Sequence, residues 1–416
     1  MHRLLIRGAR LLTLGGQGPA QRGKDLSDLG VVPSADVLVE GSRIAQVQPH
    51  SASPPSPTDA DVEVWDADGR VLMPAFVDCH THACWAGDRL DEWELKQQGV
   101  PYLELLKRGG GIMSTVRSVR TATQQQLADD LLGRLNRMLR LGTTCVEVKS
   151  GYGLSTADEL KMLRAIADAA NRWSGRLRLT ACLGHALDPD VARDRFVKQT
   201  IEETLPAVST EFPDATVDAY CEEGAWSVDE CLRLFERAQT LGHSIRVHAD
   251  QFHDLGLIPA AVAREFNSVD HLEASSATHL AELAHSEVFG VMLPCSGFQV
   301  DGRYADGRAF VDAGGKLALA TNFNPGSAPC GSVPMALALA VRHLGITTAE
   351  AITAVTRNAA DLLQLKAGAV AEGMPADLVL LDHYDERQLA YEFGGNPVAA
   401  VICGGQLVTA WRGSAA

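Results

Sequence analysis

Hydrophobic and polar positions along the 416 residues fall into two regimes. Residues 1–70 carry short apolar runs between polar turns. These are Leu4-Leu5-Ile6, residues 9–14, Asp36-Val37-Leu38-Val39-Glu40 and Arg43-Ile44-Ala45-Gln46-Val47. Short runs bounded by Gly, Ser and Gln predict strands. The stretch Ser51-Ala52-Ser53-Pro54-Pro55-Ser56-Pro57 lacks the apolar content to pack and predicts an exposed loop. The β-rich pattern returns at 376–381, 400–403 and 404–408, where it predicts hairpin strands. Residues 1–70 together with 366–416 are therefore expected to build one small β-sandwich-like domain, with the long middle of the chain inserted into it.

From 71 to 365 the pattern changes to apolar runs alternating with stretches of three- and four-residue periodicity. Strands are predicted at 71–77, 143–149, 177–183, 216–221, 244–248, 268–271, 288–293 and 316–321, which makes eight. Amphipathic helices are predicted between them, among them 124–141, 157–170, 228–241 and 279–285. A last helix is predicted at 348–363, capped by Thr347 or Thr348 with Glu350 in its first turn. Alternating β and α units favour a parallel sheet with helices outside. Eight of them favour a (β/α)8 TIM-type barrel over an open doubly wound sheet, which more often carries a Gly-rich phosphate loop after its first strand.

Composition narrows the function class. An apolar fraction of 46% and a charged fraction of 21% are those of a globular protein with a large core. A net charge of -15 argues against nucleic acid or an anionic membrane as partner, while leaving room for a small anionic substrate held by a local arginine. No stretch has the apolar length to span a bilayer, and the first residues lack the pattern of a secretory signal. The nine cysteines are scattered, with no Cys-x-x-Cys pair, so a disulfide framework is not expected and a reducing cytoplasm fits best. The apolar helices expected outside the barrel would suit a homodimer.

In a barrel of this kind, chemistry gathers at the carboxyl ends of the strands. Here the first strand runs into Val77-Asp78-Cys79-His80-Thr81-His82, whose two histidines are two positions apart and so face the same side of an extended backbone. Two such imidazoles can grip one divalent metal. His185 follows the third strand, His248 ends the fifth and His271 the sixth, so five of the 13 histidines lie at strand ends. A bland scatter would place as many on helices and in tails. After the fourth strand, Glu222 and Glu223 read as solvated helix-entry carboxylates or, less simply, as proton carriers.

These residues, with the wider stretches around them, resemble the metal-dependent amidohydrolase superfamily and, within it, the imidazolonepropionase family. The similarity covers nearly the whole chain. It rests on Phe76 to His82, Gly87-Asp88-Arg89, Gly109-Gly110-Gly111-Ile112, Ser114-Thr115-Val116-Arg117, Val146-Glu147-Val148-Lys149-Ser150-Gly151-Tyr152-Gly153-Leu154, Asn324-Pro325-Gly326-Ser327 and Phe393-Gly394-Gly395-Asn396-Pro397. The resemblance implies hydrolytic ring opening of 4-imidazolone-5-propanoate to N-formimino-L-glutamate, a step of histidine degradation, by a metal-activated water. It implies one zinc or iron held by His80, His82, His248 and the residue after the eighth strand, Asn322. It also implies that Arg89, Tyr152 and His185 hold the substrate, with Tyr102 nearby and Asn324, Gly326 and Ser327 at its amino-acid end. An arginine fork suits the propanoate carboxylate, as would backbone N–H groups at Gly326 and Ser327. Arg89 could instead be a surface ion pair with Asp88, Asp91 or Glu92, and Tyr152 a packed aromatic in a Gly-flanked turn. The glycines 109–111 read as a flexible loop or as a lid.

Among the groups that can move or orient protons, His271 is the natural electrophile or proton carrier. Gln251, where some relatives carry a glutamate, can position water or substrate but cannot be a base. The family pattern at the eighth strand is Thr-Asp-x-Asn-Pro-Gly, whereas this chain reads Thr321-Asn322-Phe323-Asn324-Pro325-Gly326. The asparagine brings no charge and holds no proton at neutral pH. Three outcomes stay open: another base such as His271, a form that binds substrate with little turnover, or an altered metal site with a different function, including another cyclic-amide hydrolase or a deaminase.

Overall fold

The computed structural model describes residues 3–15, 19–51, 62–100 and 110–409. Tyr102, Gly109 and the Pro/Ser run 52–57 lie outside them. The N-terminal stretch gives β1 (Arg3–Leu12), β2 (Val31–Glu40), β3 (Arg43–Pro49), β4 (Val62–Asp66) and β5 (Val71–Pro74). The middle gives β6 (Phe76–Asp78), β7 (Thr143–Lys149), β8 (Arg176–Gly184), β9 (Thr216–Cys221), β10 (Arg246–Ala249), β11 (Ser268–His271), β12 (Phe289–Met292) and β13 (Lys316–Leu319). The C-terminal stretch adds β14 (Leu378–Leu381), β15 (Val398–Cys403) and β16 (Gln406–Thr409).

Strands β6 to β13 pair in sequence order, every pair parallel, with helices on the connections. A parallel bridge between Thr81 and Phe323 brings the last strand's end beside the first, aided by His82 N–H to Phe323 O at 3.0 Å and Asn322 N–H to His80 O at 3.1 Å. The result is a (β/α)8 barrel. Several of its helices start where the sequence supplies caps. Ser227 with Glu230 and Thr347 with Glu350 each form a reciprocal capping box, which satisfies two otherwise orphaned N–H groups.

The remaining strands form a single hydrogen-bonded sheet in the order β16-β15-β14-β5-β1-β2-β3, with β4 also on β1. Leu4, Ile6, Val37, Val39, Leu72, Leu378 and Ile402 build its own core. Three expectations need correction in detail. The run 71–77 is not one barrel strand, because β5 pairs with β1 and β14 in the terminal sheet and only β6 enters the barrel. An unbroken apolar run does not reveal which sheet receives each half, and Pro74 lacks the N–H to extend the first ladder. The two short strands expected within 4–14 are one bulged strand, with register shifts at Ile6/Ala9 and Ala9/Leu11. The helix expected at 348–363 breaks into Thr348–Ala354 and Arg357–Leu362, where the Val355 carbonyl accepts the Val77 N–H of β6 at 2.8 Å.

Candidate active site

The carboxyl ends of the barrel strands converge on a buried cluster of imidazoles. His80, His82 and His248 each offer a ring nitrogen within 4.8 Å of the others'. His82 Nε2 and His248 Nε2 face each other at 3.0 Å, while His80 Nε2 has no hydrogen-bond partner among the described residues. Donors at about 2.0–2.1 Å from one tetrahedral ion are about 3.3 Å apart, so this spacing suits a shared cation. Burial is the main reason that His80, His82 and His248 all titrate below the usual imidazole range, which leaves them neutral, with lone pairs to offer. A fully buried, unpartnered His80 Nε2 beside two more neutral imidazoles fits a metal ion and fits little else.

Two of the three rings are held from behind. His80 Nδ1 lies 2.6 Å from Asp270 Oδ2, and His248 Nδ1 lies 3.0 Å from Asp218 Oδ1. This fixes their tautomers and turns Nε2 toward the cluster. Those carboxylates are themselves anchored. Lys149 Nζ donates to Asp218 at 2.7 Å and to Glu147 at 3.0 Å, and Arg246 donates to Asp270 at 2.6 Å and pairs with Glu147 at 2.9 Å. Burial alone would raise the Asp218 carboxyl, yet His248 and Lys149 hold it well below the ordinary range. Three carboxylates thus meet two cations in the barrel interior, leaving one net negative charge beneath the imidazoles. Cys182 also approaches Asp218 and His248, but Asp218 is already engaged by Lys149 and His248 Nδ1, so this grouping is the back of the same cluster.

Around the cluster stand the other predicted residues. The His185 ring stacks on His82 with centroids 4.5 Å apart, and the Tyr152 ring lies 5.2 Å from His185 and 6.0 Å from His82. His185 Nδ1 meets the Gly151 carbonyl at 3.1 Å, and burial lowers its pKa to about 3. Only glycine permits this approach at 151: φ is +115° and a Cβ there would sit 2.8 Å from His185 Nδ1. His271, with φ of 91°, turns Nδ1 toward Glu273 at 3.1 Å, its ring centroid 5.6 Å from that of His248. Asp250, His271, Leu272 and Asn322 all hold positive φ at or beyond the ends of β10, β11 and β13. Strain of this kind gathers at functional sites.

Arg89 ends the connection that follows β6, and its guanidinium covers Gly326, where a Cβ would lie 2.8 Å from an Arg89 nitrogen. It pairs with Glu92 at 3.7 Å, the surface partner that the alternative reading names. Arg89 is also close enough to Tyr152 to oppose the upward push that burial gives the phenol. Gln251 Oε1 accepts from Tyr220 at 2.8 Å, and its amide donates to Ser296 at 3.3 Å.

Two expectations are corrected by hydrogen bonds. The N–H groups of Gly326 and Ser327 are not free for an anion, because both donate to Asn324 Oδ1, at 2.8 and 2.7 Å. Asn324 also donates to Asn322 O at 2.6 Å and to Ser327 Oγ at 2.9 Å, so its side chain closes its own loop. Glu222 is buried rather than solvated, accepting from the Phe252 N–H and the His253 ring at 2.8 and 2.7 Å. It thereby holds the loop that carries Gln251. Sequence reasoning does not reach Asp218, Asp270, Lys149, Arg246 and Glu147 as parts of the site. Their sequence signature is a charged or titratable residue at every second position inside an apolar strand, as in Glu147/Lys149 and Arg246/His248.

Comparison with known proteins agrees with this geometry. Residues 71–408 match the model of the Amidohydrolase family. The chain is 43% identical to an imidazolonepropionase of Herpetosiphon aurantiacus over 97% of this chain and 96% of that protein. It is 41% identical to one of Deinococcus radiodurans over 98% and 100%. Among solved structures, a 5-methylcytosine deaminase from Klebsiella pneumoniae superposes with a TM-score of 0.73 at 17% identity, covering 97% of both chains, which speaks for the fold alone. The chain belongs to the amidohydrolase family and, within it, to the imidazolonepropionases.

Proposed function

We propose that this protein opens the ring of 4-imidazolone-5-propanoate by hydrolysis, giving N-formimino-L-glutamate. The observation that carries the reading is the juxtaposition of the His80/His82/His248 cluster with Arg89 and Tyr152, in a chain 43% identical to an imidazolonepropionase. We assign His80, His82 and His248 to one divalent ion, zinc or iron, both of which suit imidazole donors, with the Asn322 amide oxygen as a weak fourth donor. When bound, the metal supplies a Lewis acid that acidifies a water and polarises the ring carbonyl.

The chain's own groups do the rest. Arg89 holds the propanoate carboxylate through its forked N–H groups, and Tyr152 and His185 flank the ring. His271 directs Nδ1 to Glu273, which leaves Nε2 to take a proton from the attacking water and return it to the departing ring nitrogen. Gln251, held by Tyr220 and Ser296, orients by hydrogen bonds and exchanges no proton. Asn322 likewise cannot take a proton, so its presence bears on rate rather than on the reaction performed. The alternatives of another cyclic-amide substrate or a deamination lack the support that the near-full-length relatives give ring opening.

We read the chain as a terminal β-unit with the barrel inserted into it. We assign it to a reducing compartment such as the cytoplasm, consistent with nine free thiols and with no described helix long and apolar enough to cross a membrane. The test is an assay of imidazolone propionate ring opening with metal analysis on the same preparation. Turnover that requires bound metal is expected. Hydrolysis of another cyclic amide, with none of imidazolone propionate, would overturn the assignment.

A further inference from the structure

The loop that carries Tyr152 is gripped from two sides by residues outside the imidazole cluster. Glu159, buried in the first turn of helix Thr156–Arg172, accepts the N–H groups of Gly151, Gly153 and Leu154 at 3.0, 2.7 and 2.9 Å. Arg120, at the end of helix Ile112–Thr121, donates to the carbonyls of Gly153 and Leu154 at 2.9 and 3.2 Å. The same guanidinium donates to Asp188 at 2.7 Å, three residues beyond His185. Gly151 passes the constraint on, since its N–H binds Glu159 while its carbonyl meets the His185 ring at 3.1 Å. The loop packs tightly on the helix start: a Cβ at Gly153 would lie 2.5 Å from the Glu159 backbone nitrogen, so only glycine fits there.

We infer that Glu159 and Arg120 are positioning residues for substrate, an anion–cation clamp that sets Tyr152 and His185 as one wall of the pocket. The inference rests on the reading of Tyr152 as a substrate contact. The clamp is separate from the carboxylates that orient His80 and His248 and reaches the donors only through the His185 ring stacked on His82, so its main effect falls on substrate affinity. Its geometry explains why a carboxylate is required. One Glu159 oxygen accepts two N–H groups and the other a third, whereas a glutamine turns one of those positions into a donor facing a donor.

The experiment is steady-state kinetics on Glu159→Gln, Arg120→Gln, Tyr152→Phe and the two doubles with Tyr152→Phe, alongside chelator competition for bound metal and thermal melts. Glu159→Gln and Arg120→Gln are each expected to raise KM about 10-fold, the range for losing one well-made buried hydrogen bond, with kcat within about threefold of the parent. Metal affinity should stay unchanged. Tyr152→Phe should raise KM in the parent but add little in either clamp variant, because the ring is already displaced. A role confined to stability would lower the melting temperature, leave KM alone and leave the Tyr152→Phe effect intact, and that result would overturn the clamp. If Tyr152→Phe leaves KM unchanged in the parent, the substrate-contact reading fails, and the clamp inference with it. Should Glu159→Gln not fold, the half-buried Arg120 carries the same test.

Discussion

The two sides of the barrel mouth are built differently. Beyond β6 and on β10, the rings of His80 and His248 are each tied two layers deep: imidazole to carboxylate, carboxylate to Lys149 or Arg246. Beyond β13, the chain places two asparagines. Asn324 turns inward on its own loop, and the Asn322 amide makes no hydrogen bond among the described residues. The first side fixes neutral imidazoles above a net negative interior and so favours a cation. The second contributes neither charge nor a proton acceptor. On the proposed roles, holding a metal falls to the first side, and the second offers no group that could take a proton in place of His271.

The largest effect should come from the first side. His248→Ala removes one of three converging donors, and metal affinity measured by chelator competition should fall by at least about 10³-fold, with ring opening lost. Retained stoichiometric metal would show that the ion sits elsewhere. Next comes the second side. Asn322→Asp restores a carboxylate at a position whose φ of 55° suits Asp as well as Asn, so the backbone should not object. A gain in kcat of about 10²-fold is expected if the missing proton acceptor limits the rate. No change would place the whole burden on His271 and dissolve the contrast between the two sides.

Smaller again is the effect of loosening the layer behind the rings. Asp218→Asn or Asp270→Asn leaves all three imidazoles in place but frees one to turn, and metal affinity should fall by about 10- to 100-fold. The partner cation also loses its counter-charge in a dry interior, so a drop in melting temperature is expected too. An affinity unchanged in both variants would mean that stacking and burial alone orient the rings.

How far the sequence could reach follows the same division. His80, His82, His248 and His271 are legible because a histidine at a strand end is unusual and the alternation of parallel strands with helices places the ends together. The eight barrel strands are legible for the same reason of period. What sequence could not show is direction. Glu222 looked solvated because helix entries usually are, but a tertiary contact from the loop at 252–253 buries it. Gly326 and Ser327 looked like an anion nest because glycine and serine N–H groups are often free, and Asn324 takes both. The split of 71–77 between two sheets turns on pairing partners several hundred residues away, which no local pattern encodes.

The smallest predicted effect separates the two sides by pH. Burial lowers the pKa of His80, His82, His185 and His248 below the ordinary value of 6.5, to about 3 for His185. In the unfolded chain these rings bind protons as the pH falls through about 6.5, whereas in the folded metal-free protein they do not. The unfolded state then carries more protons, so stability is full above that pH and is lost progressively below it. Each ring contributes a slope of up to about 1.4 kcal/mol per pH unit. Asn322 and Asn324 do not titrate and contribute nothing. Urea midpoints of the metal-free protein should therefore decline between pH 7.5 and pH 5, and His185→Asn should make that decline shallower by about one proton's worth, while Asn324→Ser should leave its slope alone. A slope unaltered by His185→Asn would mean that this ring gains its proton in the folded state as readily as in the unfolded one, and that its stack on His82 is not a dry contact.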